Sequence, residues 1–95
     1  MPRVKVKLSG SLRSIAGEST VELELPAAGA TVGTALDQVL ARFPAIAERL
    51  GKSGQELRSY LRLFRNGQGT QFQGGLATPL QEGDELLVMV AVGGG

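Results

Sequence analysis

The chain has 95 residues, 42 % of them hydrophobic, and a net charge of +1, a size and balance that fit one modest hydrophobic core. It contains no cysteine and no histidine, which excludes disulfides, thiolate chemistry and the commonest acid–base and metal-ligating side chain. Ten basic residues against nine acidic ones exert no general pull on nucleic acid, and three phenylalanines with one tyrosine make a poor base-stacking platform.

Residues 3–9 (RVKVKLS) alternate, which predicts a half-buried strand with Val4, Val6 and Leu8 inward and Arg3, Lys5 and Lys7 outward. Residues 10–18 read as a connection anchored by Leu12 and Ile15. Residues 19–25 (STVELEL) alternate again, with Val21, Leu23 and Leu25 inward, until Pro26 stops the strand. The two segments make an antiparallel hairpin. Thr31 is placed to N-cap a helix whose Val32, Leu36, Val39, Leu40 and Phe43 share one face. Gly33 weakens its first turn slightly, and Pro44 ends it. Residues 45–50 (AIAERL) add a further turn or two before GKSG breaks the chain.

Residues 60–65 (YLRLFR) predict a third strand, followed by an Asn66-Gly67 turn and a short extended piece at 70–72. Residues 74–79 form a loop, from which Leu80 plugs the core, and 82–84 form another turn. Residues 85–92 (ELLVMVAV) are the most apolar strand, which is expected at the centre of the sheet with burial on part of both faces. The order β-β-α-β-β, with one main helix on one face of a mixed sheet, is α+β. A β-grasp, ubiquitin-like roll satisfies it. A split ferredoxin-like fold fits worse, because it needs a crossover straight after its first strand and a second helix. A single domain over 1–95 with a flexible tail at 93–95 is expected. No apolar run is long enough to span a membrane and MPRVKVKLSG lacks a signal-peptide core, so the expected location is cytoplasmic.

The body of the chain offers little chemistry. Glu82, Asp84 and Glu85 cluster in a turn, but their spacing matches no metal loop and solvated turn residues are the simpler reading. Gly67, Gly69, Gly74 and Gly75 form no phosphate-binding motif. Arg3, Lys5 and Lys7 read as a solvated strand face, with docking of an acidic partner as the other role. The sequence closes on VAVGGG. Glycines 93–95 reach about 10 Å when extended and present only backbone, so they fit a narrow tunnel. A carboxylate on Gly95 would need activation, which ATP adenylation supplies. A sulfur nucleophile would then give a thiocarboxylate, and an amine would give an amide. Nothing in the chain catalyses either step, so the catalysts would be partners. The plain alternative is a frayed end.

RVKVKLSGSLRSIAG (3–17), TVGTALDQVLARFP (31–44), FRNGQGTQF (64–72), GGLATPLQEGDELLVM (74–89) and AVGGG (91–95) together resemble the family of the molybdopterin synthase small subunit and the thiamine-pathway sulfur carrier. The resemblance implies a cytoplasmic β-grasp sulfur carrier with no stably bound cofactor. It implies three partners: a ubiquitin-activating-like enzyme that adenylates the last glycine with ATP, a persulfide sulfurtransferase, and a synthase large subunit that receives the tail. No membrane or nucleic acid partner is expected. The family diglycine falls on Gly94 and Gly95, with Gly95 as the sulfur-bearing residue and Gly94 as its stem. Small subunit of a molybdopterin synthase is the reading this favours. Carriers for thiamine, cysteine or tRNA thiolation and lysine-conjugated modifiers are the alternatives, and a plain binding subunit is a third class.

Two features depart from the family pattern. Gly93 stands where many members have Ala or Thr, which loosens the tail where it would enter a partner. Arg65 falls where an apolar strand residue is common; if it points inward, its head must escape to the rim. Phe64, Leu87 and Met89 share the sheet face opposite the helix if the register holds. That face is then either an exposed apolar patch for a partner or a surface partly covered by loops, and the residues alone leave both open.

Overall fold

The structure, a computed structural model, describes residues 1–52, 54–70 and 74–90. Five strands, β1 (Arg3–Leu8), β2 (Thr20–Glu24), β3 (Leu61–Arg65), β4 (Gln68–Gly69) and β5 (Glu85–Val90), form a sheet in the order β2-β1-β5-β3-β4. β1 and β5 run parallel, and the other pairings are antiparallel. The most apolar strand is central, as its composition predicts. This is an α+β, ubiquitin-like β-grasp arrangement.

Strict alternation sets the inner face. Val4 and Val6 of β1 pair with Leu23 and Val21 of β2, and Val6 and Leu8 face Leu86 and Val88 across the parallel ladder. Leu61 and Leu63 continue the layer on the far side of β5. All these leucines and valines are buried. Burying each such side chain stabilises the fold by about 1.5–3 kcal/mol relative to exposure.

Helix α2 (Val32–Arg42) covers that face with Val32, Ala35, Leu36 and Val39, while Leu40 and Phe43 pack at its margin. Thr31 caps it as expected, its Oγ1 accepting from the Thr34 N–H at 3.2 Å. Gly33 has a reason beyond tolerance. A Cβ there would lie 3.1 Å from the Leu76 carbonyl oxygen, so glycine lets α2 approach the 3-10 turn Gly75–Ala77 closely. Leu80 is buried from its loop, as expected.

Four differences from the sequence reading concern short elements. Residues 11–16 are helix α1 (Ser11–Ala16), not an irregular connection, although Leu12 and Ile15 do anchor it. Residues 45–50 form α3 (Ala45–Leu50), as foreseen, but a further helix, α4 (Gly54–Tyr60), follows. Leu57 is its buried anchor, and Tyr60 closes α4 instead of opening β3. A short strand lies at Gln68–Gly69, directly behind the Asn66-Gly67 turn. Asn66 at φ 49° and Gly67 at φ 87° give the two positive-φ residues a tight hairpin requires. Thr70 is buried, while residues 71 and 72 lie outside the described residues.

The end of the sheet is closed by Asp84, which is not a solvated turn residue. Its carboxylate accepts from the Gln81 N–H at 2.8 Å, Arg65 Nε at 2.9 Å and Asn66 Nδ2 at 3.1 Å. Asn66 Oδ1 in turn accepts from the Glu85 N–H at 2.9 Å. Arg65 thus follows Leu61 and Leu63 on the inner side of β3, opposite Leu86, and its head reaches the rim to meet Asp84. Burial pushes the Asp84 carboxyl upward, but the donors from Gln81, Asn66 and Arg65 outweigh it and hold it below the ordinary aspartate value.

A carboxyl depressed in the folded state stabilises the fold above its unfolded value of about 3.9, and that contribution is lost as pH falls through the folded value. Urea unfolding should therefore show stability falling as pH drops below about 4. Asp84→Asn should cost about 1–3 kcal/mol at neutral pH, by leaving Arg65 without its counter-charge, and should flatten the acid limb.

Candidate functional site

The outer face of the sheet, opposite α2, is divided by its own register. At one end the ladder reads Glu24 beside Arg3, then Glu22 beside Lys5 beside Glu85. At the other it reads Lys7 beside Leu87 beside Phe64, then Met89 beside Arg62. The first end is charged and self-matched. Arg3 pairs with Glu24 at 3.7 Å, and the Arg3 N–H donates to Glu82 Oε1 at 2.8 Å. Lys7 Nζ meets Glu85 Oε2 at 3.4 Å. Exposed pairs of this kind contribute about 0–1 kcal/mol each, but they cancel the basic stripe as a field for an acidic partner.

The second end is apolar. Phe64, Leu87 and Met89 lie together, each half-buried, around a groove of about 310 Å³ that Lys7, Gly67 and Glu85 complete. The sequence reading places these three residues on one face, and the register does the same. They are neither fully covered nor fully open. The strand alternation hides Leu86 and Val88 on the inner face and leaves Leu87 and Met89 on the outer one. β5 is therefore apolar on both sides, which an interior strand needs only if something packs on each.

Val90, the last described residue, pairs with Leu61 at the end of β3. Gly93, Gly94 and Gly95 lie outside the described residues. The strand that carries the apolar groove is thus the one that the sequence continues into the glycines. One groove residue, Gly67, was singled out from the sequence only as part of a turn and not as lining a surface. Arg62, beside Met89 in the register, was not singled out at all; alternation through LRLF would have put it next to the patch. Among the described residues, no group of three or more carboxylates or other metal-binding side chains converges, at the acidic turn or elsewhere. No helix among them is long and apolar enough to cross a membrane.

The sequence pattern of the ThiS family matches residues 6–95. A sulfur carrier protein, CysO, of Mycobacterium tuberculosis is 34 % identical over 71 residues, which cover 73 % of this chain and 76 % of that protein. Small archaeal modifier protein 1 of Haloferax volcanii is 34 % identical over 89 residues, covering 94 % and 97 % of the two chains. Among solved structures, small archaeal modifier protein 1 of Methanosarcina acetivorans superimposes with a TM-score of 0.80 at 28 % identity, covering 100 % of this chain and 98 % of the other. CysO in the Amycolatopsis orientalis BexX/CysO complex gives 0.72 at 33 %, covering 97 % and 99 %. A protein described as subunit 1 of a molybdopterin converting factor, from Pyrococcus furiosus, gives 0.73 at 25 %, covering 97 % and 100 %. With its β-grasp sheet, its outer-face groove on β5 and a match that runs from the first strand through the glycines, this chain belongs to the ThiS family of ubiquitin-like proteins.

Proposed function

We propose that this chain is a sulfur carrier that is loaded and unloaded at the carboxylate of Gly95 by partner enzymes. The Gly95 carboxylate attacks the α-phosphorus of ATP on an adenylating partner, and pyrophosphate leaves. A persulfide on a sulfurtransferase then attacks the acyl carbon, AMP leaves, and an acyl disulfide forms. A thiol takes the transferase sulfur as a disulfide and releases the thiocarboxylate. The carrier supplies no acid, base or nucleophile beyond that terminal group; it supplies a fold to grip and a stem narrow enough to enter an active site.

What supports this reading in the geometry is that the strand continuing into the glycine tail also bears the apolar groove of Phe64, Leu87 and Met89. A partner that seats on the groove is thereby positioned to receive the tail. The family match and the likeness to proteins named as sulfur carriers point the same way. Release of sulfur to a pterin precursor in a molybdopterin synthase large subunit is the destination that the Pyrococcus neighbour favours. Another acceptor agrees equally well with the likeness to CysO. A second reading, conjugation of Gly95 to lysine amines, is favoured by the likeness to the Haloferax modifier over nearly the whole chain. The two readings share adenylation and part only at the nucleophile.

Incubation with ATP, the cognate adenylating enzyme and a persulfide donor should replace one oxygen by sulfur, read as the corresponding gain in intact mass. Unchanged mass would contradict the carrier reading, and lysine conjugates lost with Gly95 would favour the modifier. One residue appended after Gly95 should abolish loading while leaving the melting temperature unaltered. Phe64→Ala with Leu87→Ala should keep the fold and raise the KM for adenylation by roughly thirtyfold, the equivalent of losing about 2 kcal/mol of contact.

A further inference from the structure

We infer that Arg62 selects the partner of the groove by pairing with a carboxylate on the partner's surface. The inference rests on the proposal that an adenylating partner seats on this face. Arg62 lies directly opposite Met89 in the β3–β5 register and shares the outer face with Phe64. Its neighbour Leu61 is opposite Val90, so Arg62 stands at the end of the groove from which the chain continues into residues 91–95. It is exposed, whereas Phe64, Leu87 and Met89 beside it are half-buried.

Most of the surrounding cations are already matched, and Lys5, with no carboxylate within 4.0 Å among the described residues, stands between Glu22 and Glu85 in the register, at the charged end of the face. Arg3 pairs with Glu24, Lys7 with Glu85, Arg58 with Asp37 and Arg65 with Asp84. Among the described residues, no carboxylate lies within 4.0 Å of Arg62. Its Nη1 donates instead to the Ser59 and Leu61 carbonyl oxygens, at 3.2 and 3.4 Å. Those bonds tether the guanidinium to the junction of α4 and β3 and engage one nitrogen of a group with five N–H donors. The free donors keep a planar fork shape suited to a carboxylate.

A protein surface that covers the groove removes water from the edge where Arg62 sits. There a facing carboxylate gains strength, while a facing lysine or arginine is penalised. The net charge of only +1 makes this a local effect rather than a general field. Arg62 is accordingly a positioning and specificity residue: it touches the partner and not the reacting carboxylate.

The test is ATP-dependent pyrophosphate exchange by the cognate adenylating enzyme, with carrier concentration varied. Arg62→Glu should raise KM for the carrier about tenfold or more with kcat within about twofold, the signature of a lost rim contact. Arg62→Lys should restore most of the affinity. Raising NaCl from about 0.05 to 0.5 M should weaken the wild type, leave Arg62→Gln nearly unmoved and partly relieve the repulsion in Arg62→Glu. Arg62→Gln, which keeps the size and drops the charge, should have a KM between those of the wild type and Arg62→Glu, and melting curves check that every variant is folded. A KM for Arg62→Glu equal to wild type would overturn this inference and leave the carrier proposal standing. Absence of exchange with the wild-type chain itself would overturn both.

Discussion

The parallel pairing of β1 with β5 is the constraint on which the rest of the molecule depends. It joins the first and last strands of the sheet across the whole sequence and puts β5 between two neighbours. A strand in that position has no edge to expose, so its hydrogen bonds are met on both sides. Its two faces are then available for different purposes. Leu86 and Val88 hold the helix layer, and Leu87 and Met89 leave an apolar surface on the other side. The same strand thus stabilises the fold, presents the groove and leads into the glycines.

Polar groups decide where that apolar surface ends. On one side, Glu85 and Lys7 close it with an ion pair. Behind it, Asp84 ties the β3–β4 hairpin to the start of β5 through Arg65 and Asn66. Fixing that hairpin fixes Phe64 and Gly67, which line the groove. A buried carboxylate with three donors is an uncommon investment for an acidic turn; here it sets the geometry of the docking face from underneath. Arg62 at the opposite end, beside Met89, has no such partner among the described residues.

Much of this was legible in the sequence, for identifiable reasons. Period-2 alternation in RVKVKL and TVELE placed β1 and β2, and the threonine cap, the apolar stripe and Pro44 bounded α2 closely. The apolar run at 85–90 marked the central strand, and reading its parity placed Leu87 and Met89 beside Phe64. The short helices were hidden because α1 and α4 run to six and seven residues and bury one side chain each, Leu12 and Leu57. Such segments have no periodicity to read and are held by tertiary contact. The role of Asp84 was illegible because its donors come from residues 65, 66 and 81, which only the folded sheet brings together. Arg65, ambiguous in sequence, is settled by that same carboxylate.

The most direct measurement of whether β5 joins docking to delivery is an amide chemical-shift titration of the labelled chain with its adenylating enzyme. A docking face on β5 predicts shifts concentrated at Arg62, Phe64, Gly67, Leu87 and Met89 and continuing into Gly93–Gly95, with the exposed sides of α2 and α3 quiet. Shifts gathered on α2 and α3, with the outer sheet face unmoved, would contradict it.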